Sequence, residues 1–153
     1  MSDNEEQQLR FGEQGELEEP PEDDDDEPQL LDDGSEREGH ISKGGFNSFE
    51  VMSLFQKSCR RGDRKRAMWA AYELGRSSFG GQLESRIYAV LIEDLRLSAE
   101  EAHIPSAVEH LLDLAKNRWS MDSGMGLACL MRIASILAEA TSSHEILLMK
   151  NYW

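Results

Sequence analysis

From Asn47 onward, apolar residues recur three and four positions apart, and no stretch of useful length alternates as a strand would. Asn47, with Glu50 three residues on, reads as a helix start, and Val51, Met52, Phe55 and Cys59 mark one face of that helix. Gly62 is placed to end it and Asp63 to cap the next, so the first two helices should form an antiparallel hairpin. The second, from about Arg64 to Leu74 with Gly75 as its end, carries a narrow face of Ala67, Met68, Ala71 and Leu74. Trp69 and Tyr72 are expected to pack beside that face. A third helix, starting near Gln82, has the clearest stripe: Leu83, Ile87, Val90, Leu91 and Leu95, with Ile92 expected to widen it.

Ser98 and Glu101 form a capping-box pair over a short turn, and Pro105 suits the first position of a fourth helix. Val108, Leu111, Leu112 and Ala115 should face inward there. After a loop from Trp119 to Gly126, a fifth helix from Leu127 to Ala140 is apolar on nearly every side. Such a helix is central or lies at an oligomer interface, which makes Leu130, Ile133, Ile136 and Leu137 its core or oligomer residues. Ser142 and Glu145 cap a last helix bearing Ile146, Leu147 and Leu148. The expected fold is therefore all-α: a compact bundle of about six helices over residues 46–153.

Composition changes the picture at the other end. Of 153 residues, 30 are acidic and 16 basic, and residues 1–40 alone hold 17 Asp or Glu against Arg10 and Arg37. The remainder is nearly neutral. The run from Glu18 to Pro28 repels itself and contains three prolines, so residues 1–45 are expected to be a disordered acidic tail. Such a tail can solvate the protein, engage a basic partner, mimic nucleic-acid charge or shield a basic patch of its own chain. Leu30 and Leu31 beside Asp32 and Asp33 offer a small apolar anchor, and Ser35 has the acidic neighbours of an acidophilic kinase site. The Asp23–Asp26 run lacks the glycine-containing loop of a calcium site.

No apolar run reaches the ~20 residues of a membrane span, and the first residues have no signal-peptide pattern. Cys59 and Cys129 lie on helical stripes and read as small core residues. Together these features suggest an intracellular protein of the cytoplasm or nucleus.

Candidate chemistry is sparse. Lys57, Arg60, Arg61, Arg64, Lys65 and Arg66 place six positive charges in ten residues around the first turn, with Asp63 opposing, and could contact phosphate or a partner. Arg61-Gly62-Asp63 is explained by the turn. Glu93 and Asp94 are adjacent and about 100° apart on a helix, which does not suit a catalytic pair. One of them should instead bridge to Arg60, Arg61 or Arg86 and hold helices in register. His40, His103, His110 and His144 lack metal-ligand spacing, and no nucleophile motif is present, so no cofactor, metal or enzymatic activity is expected.

Ser53-Leu54-Phe55-Gln56-Lys57-Ser58-Cys59-Arg60-Arg61-Gly62-Asp63 followed by Ala67-Met68-Trp69-Ala70-Ala71 resembles the C-terminal helical region of replication-associated recombination AAA+ ATPases. These are clamp-loader relatives of the maintenance-of-genome-stability type. Arg86-Ile87 through Glu93-Asp94-Leu95, then Ile104-Pro105 and Leu137-Ala138-Glu139-Ala140, extend the likeness over roughly residues 48–150. Arg96 stands near the family's glycine and Thr141 in place of its lysine, and the phosphate-binding loop of the motor is absent. The resemblance implies a helical collar without its ATPase. The expected function is a non-enzymatic oligomerisation and protein-interaction module, forming a homo-oligomer and serving as an accessory factor in DNA replication, recombination or repair. The alternative is a nucleic-acid-binding regulator that uses the Lys57–Arg66 hairpin, with the acidic tail competing for it.

Overall fold

A computed structural model describes residues 40–143 and 145–152, in which six α-helices are joined by short turns. The expectation for residues 1–39 lies outside the described residues. Among those described there is no β-strand, only two isolated bridges, Ile41 with Asn47 and Leu95 with Ser142.

Local chemistry sets the first turn. Helix α1 (Ser48–Arg61) begins where the Asn47 side chain accepts the Phe49 amide at 2.9 Å. It ends at Gly62, in the left-handed region at φ 70°, where the Gly62 amide reaches the Cys59 carbonyl and the Asp63 amide the Ser58 carbonyl. That is a Schellman ending, and it spends two carbonyls that would otherwise be orphaned. Asp63 then caps α2 (Arg64–Arg76) by accepting the Arg66 amide. The expected hairpin forms, and α1 packs on α2.

Gly75 does not end α2, as its residue type had suggested; the helix runs through it to Arg76. A Cβ at Gly75 would come within 2.7 Å of Leu130 Cδ1 and 2.8 Å of Leu127 Cδ2. The glycine is there because α5 (Gly124–Glu139) lies almost on the backbone of α2. Arg64 meets Glu139 at the other end of the same seam, so α2 and α5 are antiparallel. Ala67, Ala70 and Ala71 are buried along it, which is the close approach the small-residue face predicts.

Helix α3 (Gly80–Ala89) passes directly into a π-helical turn, Val90–Asp94, and α4 (Ile104–Asp113) into another, Leu114–Arg118. Leu83, Ile87, Val90, Leu91 and Leu95 are buried as expected, but Ile92 is 61% exposed. It falls nine residues after Leu83, half a turn away at 100° per residue, and so faces solvent. Pro105 sits in the first turn of α4, with Val108, Leu112 and Ala115 buried and Leu111 half-buried.

Helix α5 starts three residues before the expected Leu127, because Ser123 accepts the Gly126 amide. It packs against α1, α2, α4 and the Leu114–Arg118 turn. Leu130, Ile133 and Leu137 are fully buried and Ile136 half-buried, so these four residues pack inside the chain. The last helix, α6 (Glu145–Tyr152), exposes Ile146, Leu148 and Met149.

Two short segments close the ends. Residues 40–45, expected to belong to the tail, are part of the fold. The Gly44 amide donates to Glu73 at 2.7 Å, the Lys43 amide to Ser77 Oγ at 2.9 Å, and Phe46 packs edge-on against Trp69. At the opposite end the Arg96 amide reaches the Thr141 carbonyl and the Ser143 amide the Asp94 carbonyl. Ser98 and Glu101 make only a turn, and Glu101 Oε1 accepts the Thr141 amide.

Candidate interaction surface

The six cations of the first hairpin divide into two groups. Arg60 is half-buried and lies 2.9 Å from Asp94; Arg64 pairs with Glu139 at 2.6 Å and Arg66 with Asp63 at 3.1 Å. Lys57, Arg61 and Lys65 are exposed and make no ion pair among the described residues. Half of the charge that the sequence offers to a partner is therefore engaged by the protein's own carboxylates. The other half stays available.

Asp94 is the bridging acid the sequence anticipates, and its side chain is fully buried. Arg60 Nη2 approaches its Oδ1, Gln56 Nε2 donates to its Oδ2 at 2.9 Å, and Arg86 donates to Gln56 Oε1 at 2.9 Å. Arg86 thus reaches the carboxylate through Gln56 and does not touch it. The Arg60–Asp94 approach lacks hydrogen-bond geometry, and buried Arg60 Nε has no partner among the described residues. The pair is held by charge more than by directed bonds. Glu93 takes a different partner, Lys150 of α6, at 2.8 Å. These contacts tie α1 to α3 and to the Val90–Asp94 turn, and that turn to α6, a structural role.

Burial pushes the Cys59 thiol up from 9.0 to about 12, with the Asp94 charge adding to it. A thiol so shifted is a packing residue with negligible thiolate at neutral pH. Cys129 is also buried and free. His40 stacks on Phe49, with ring centroids 4.8 Å apart, and His103 Nδ1 lies 3.1 Å from the Glu100 carbonyl. His144 lies outside the described residues. Among the described residues no group of three or more His, Cys, Asp or Glu side chains is arranged to hold a metal ion.

Glu73 is a buried carboxylate that helical periodicity does not flag. Burial would raise it, but hydrogen bonds from Arg76, Ser42 and the Gly44 amide outweigh burial and hold it below the usual carboxylate range. It fastens the segment 40–47 onto α2.

One face of the α2–α5 pair stays open. A hollow of about 390 Å³ is lined by Lys65, Met68, Trp69, Tyr72 and Met131. A second, of about 320 Å³, is lined by Arg64, Met68, Ala128, Met131, Arg132 and Ser135. They share Met68 and Met131 and so form one groove along the seam. On α2 the lining spans Arg64 to Tyr72, roughly 12 Å at 1.5 Å per residue. Its floor is thioether and aromatic surface, with Trp69 and Tyr72 each 39% exposed, so these two pack less fully than expected. Arg64, Lys65 and Arg132 stand on its margin, and no carboxylate lines either hollow. Sequence reading counts Met131 only among the apolar residues around the fifth helix and gives no role to Arg132; only the pairing of α2 with α5 brings them beside Met68.

A third hollow, between α3 and α4, is polar and crossed by the Lys116–Glu84 bridge at 2.8 Å. No helix among the described residues is long and apolar enough to cross a membrane. No family model, curated protein or solved structure matches this chain.

Proposed function

We propose that this protein is a binding module whose docking face is the groove between α2 and α5. The observation that carries the reading is the groove itself. Met68, Trp69, Tyr72 and Met131 leave apolar surface uncovered side by side in one hollow between the two helices. Methionine-rich apolar grooves accept helical segments because thioether side chains repack cheaply around different shapes. The residues nearest to chemistry, Asp94, Glu73 and Cys59, are occupied in holding helices together, which favours binding over catalysis as the activity.

The resemblance to clamp-loader collars gives this module a setting, an accessory role in DNA replication, recombination or repair with other proteins as partners. Self-association through α5 is the weaker part of that setting, since Leu130, Ile133 and Leu137 are buried within one chain. The nucleic-acid alternative retains Lys57, Arg61 and Lys65 as the exposed cations free for phosphate.

The test is site-specific photocrosslinking of the full chain in the cells that make it. A photoreactive residue at Met68 should give adducts of discrete mass, and the same residue at exposed Ser106 on α4 should not. Equal labelling from both positions, or none from Met68, contradicts the reading.

A further inference from the structure

The groove's chemistry selects its occupant. Resting on the docking reading above, we propose that the partner is an acidic amphipathic helix of another polypeptide, with its apolar stripe on Met68 and Met131 and its carboxylates toward Lys65 and Arg132. Three features support this occupant over others.

The first is shape. A channel about 12 Å long between two antiparallel helices accepts roughly two turns of a third helix, with anchors spaced at i, i+3 or i+4, and i+7. On α5 the lining residues Ala128, Met131, Arg132 and Ser135 follow that same spacing, so one face of α5 is presented along the channel. The second is sign. Lys65 and Arg132 are exposed and make no ion pair among the described residues, while Arg64 is already engaged by Glu139. A carboxylate-bearing helix would meet two unspent cations and no lining acid. A basic helix would bring like charge against Lys65 and Arg132.

The third is the character of the floor. Phosphate backbones are tracked by continuous cationic grooves with aromatic platforms. Here the cations stand at the margin, and Met68 and Met131 occupy the centre. Trp69 is moreover engaged edge-on by Phe46, with centroids 5.2 Å apart, and Tyr72 lies under the Arg76 guanidinium at 5.6 Å. Both rings therefore already hold a contact within the chain.

The experiment measures fluorescence anisotropy of three labelled 18-residue helical peptides against the full chain. All share leucines at i, i+3, i+7 and i+11, and the remaining positions carry mainly Glu, Gln or Lys. The Glu peptide should bind at least tenfold more tightly than the Lys peptide, with affinity falling as salt rises. Lys65→Glu with Arg132→Glu, both at exposed positions that leave the core untouched, should remove that preference. Met131→Glu should weaken the Glu peptide at least tenfold.

Equal binding of the Glu and Gln peptides, both lost in Met131→Glu, would overturn the acidic partner while leaving the groove as a docking face. Binding of no peptide together with tight binding of an oligo-dT 20-mer, lost in the same variants, would overturn the proposal in favour of nucleic acid. A concentration-dependent dimer by sedimentation, abolished by Met131→Glu, would overturn it in favour of a second copy of this chain.

Discussion

Asp94 shows what one residue can demand of a fold. It stands eleven positions after Leu83, which at 100° per residue brings it within about 20° of the same line, in the middle of the apolar stripe. A carboxylate there is buried whatever its neighbours, so the chain must bring a cation to it. Arg60 serves, with Gln56 and Arg86 behind it. The need for a partner was therefore legible from periodicity alone. The choice of Arg60 over Arg61 required the α1–α3 packing. Arg60→Met should lose about 3 kcal/mol of stability in urea denaturation, because a buried charge is left without its counter-charge. In a double-mutant cycle with Asp94→Asn the coupling should exceed about 1 kcal/mol, whereas additivity within about 0.5 kcal/mol would show that the pair is incidental. Glu73 makes a separate prediction. Its folded carboxyl titrates below 4.5, its ordinary value, so its contribution is fully present above pH 4.5 and is lost as pH falls through the lowered folded value. Glu73→Gln should flatten that part of the acid unfolding profile, read by circular dichroism against pH, and an unchanged slope would contradict the assignment.

Among the elements, helix starts and stops were the most readable feature, because caps act over three or four residues of adjacent sequence. Asn47, Gly62, Asp63 and Pro105 all do what their positions suggest. Glycine was ambiguous for a physical reason. The same missing Cβ that ends one helix at Gly62 admits a neighbouring helix at Gly75, and only the identity of that neighbour decides between the two. Gly124 and Gly126, both in the first turn of α5, differ in whether a neighbour needs the space. A Cβ at Gly126 collides with the Ser120 carbonyl, while one at Gly124 meets nothing. Gly126→Ala should therefore destabilise the fold by about 2 kcal/mol or more. Gly124→Ala should be neutral or stabilise by up to about 1 kcal/mol. Thermal unfolding of the two variants checks this, and an equal change in both would contradict the close approach of the 120–123 turn to α5. The two π-helical turns went unread because each is a single turn of about five residues, too short to set a period of its own.

Over the whole molecule, α5 is the organising element, and most of its apolar surface is covered by α1, α2, α4 and the Leu114–Arg118 turn, with Ala128 and Met131 left at the groove. The sequence offered two uses for such a helix, core or oligomer seam, and the burial of Leu130, Ile133 and Leu137 shows the first. The groove was illegible for the complementary reason. Met68, Tyr72, Met131 and Arg132 lie on two helices more than fifty residues apart in sequence, and each looks ordinary on its own helix. Their juxtaposition exists only once the small residues Ala67, Ala71 and Gly75 let α5 settle against α2. Docking at that face is the central claim, and the seven methionines provide direct reporters of it. With the methionine methyls isotopically labelled, NMR titration of the full chain with the Glu-bearing helical peptide should shift the Met68 and Met131 signals first and furthest. Met52, buried on α1, and Met149, exposed on α6, should stay in place. Shifts confined to Met149, or spread evenly over all seven, would contradict the account.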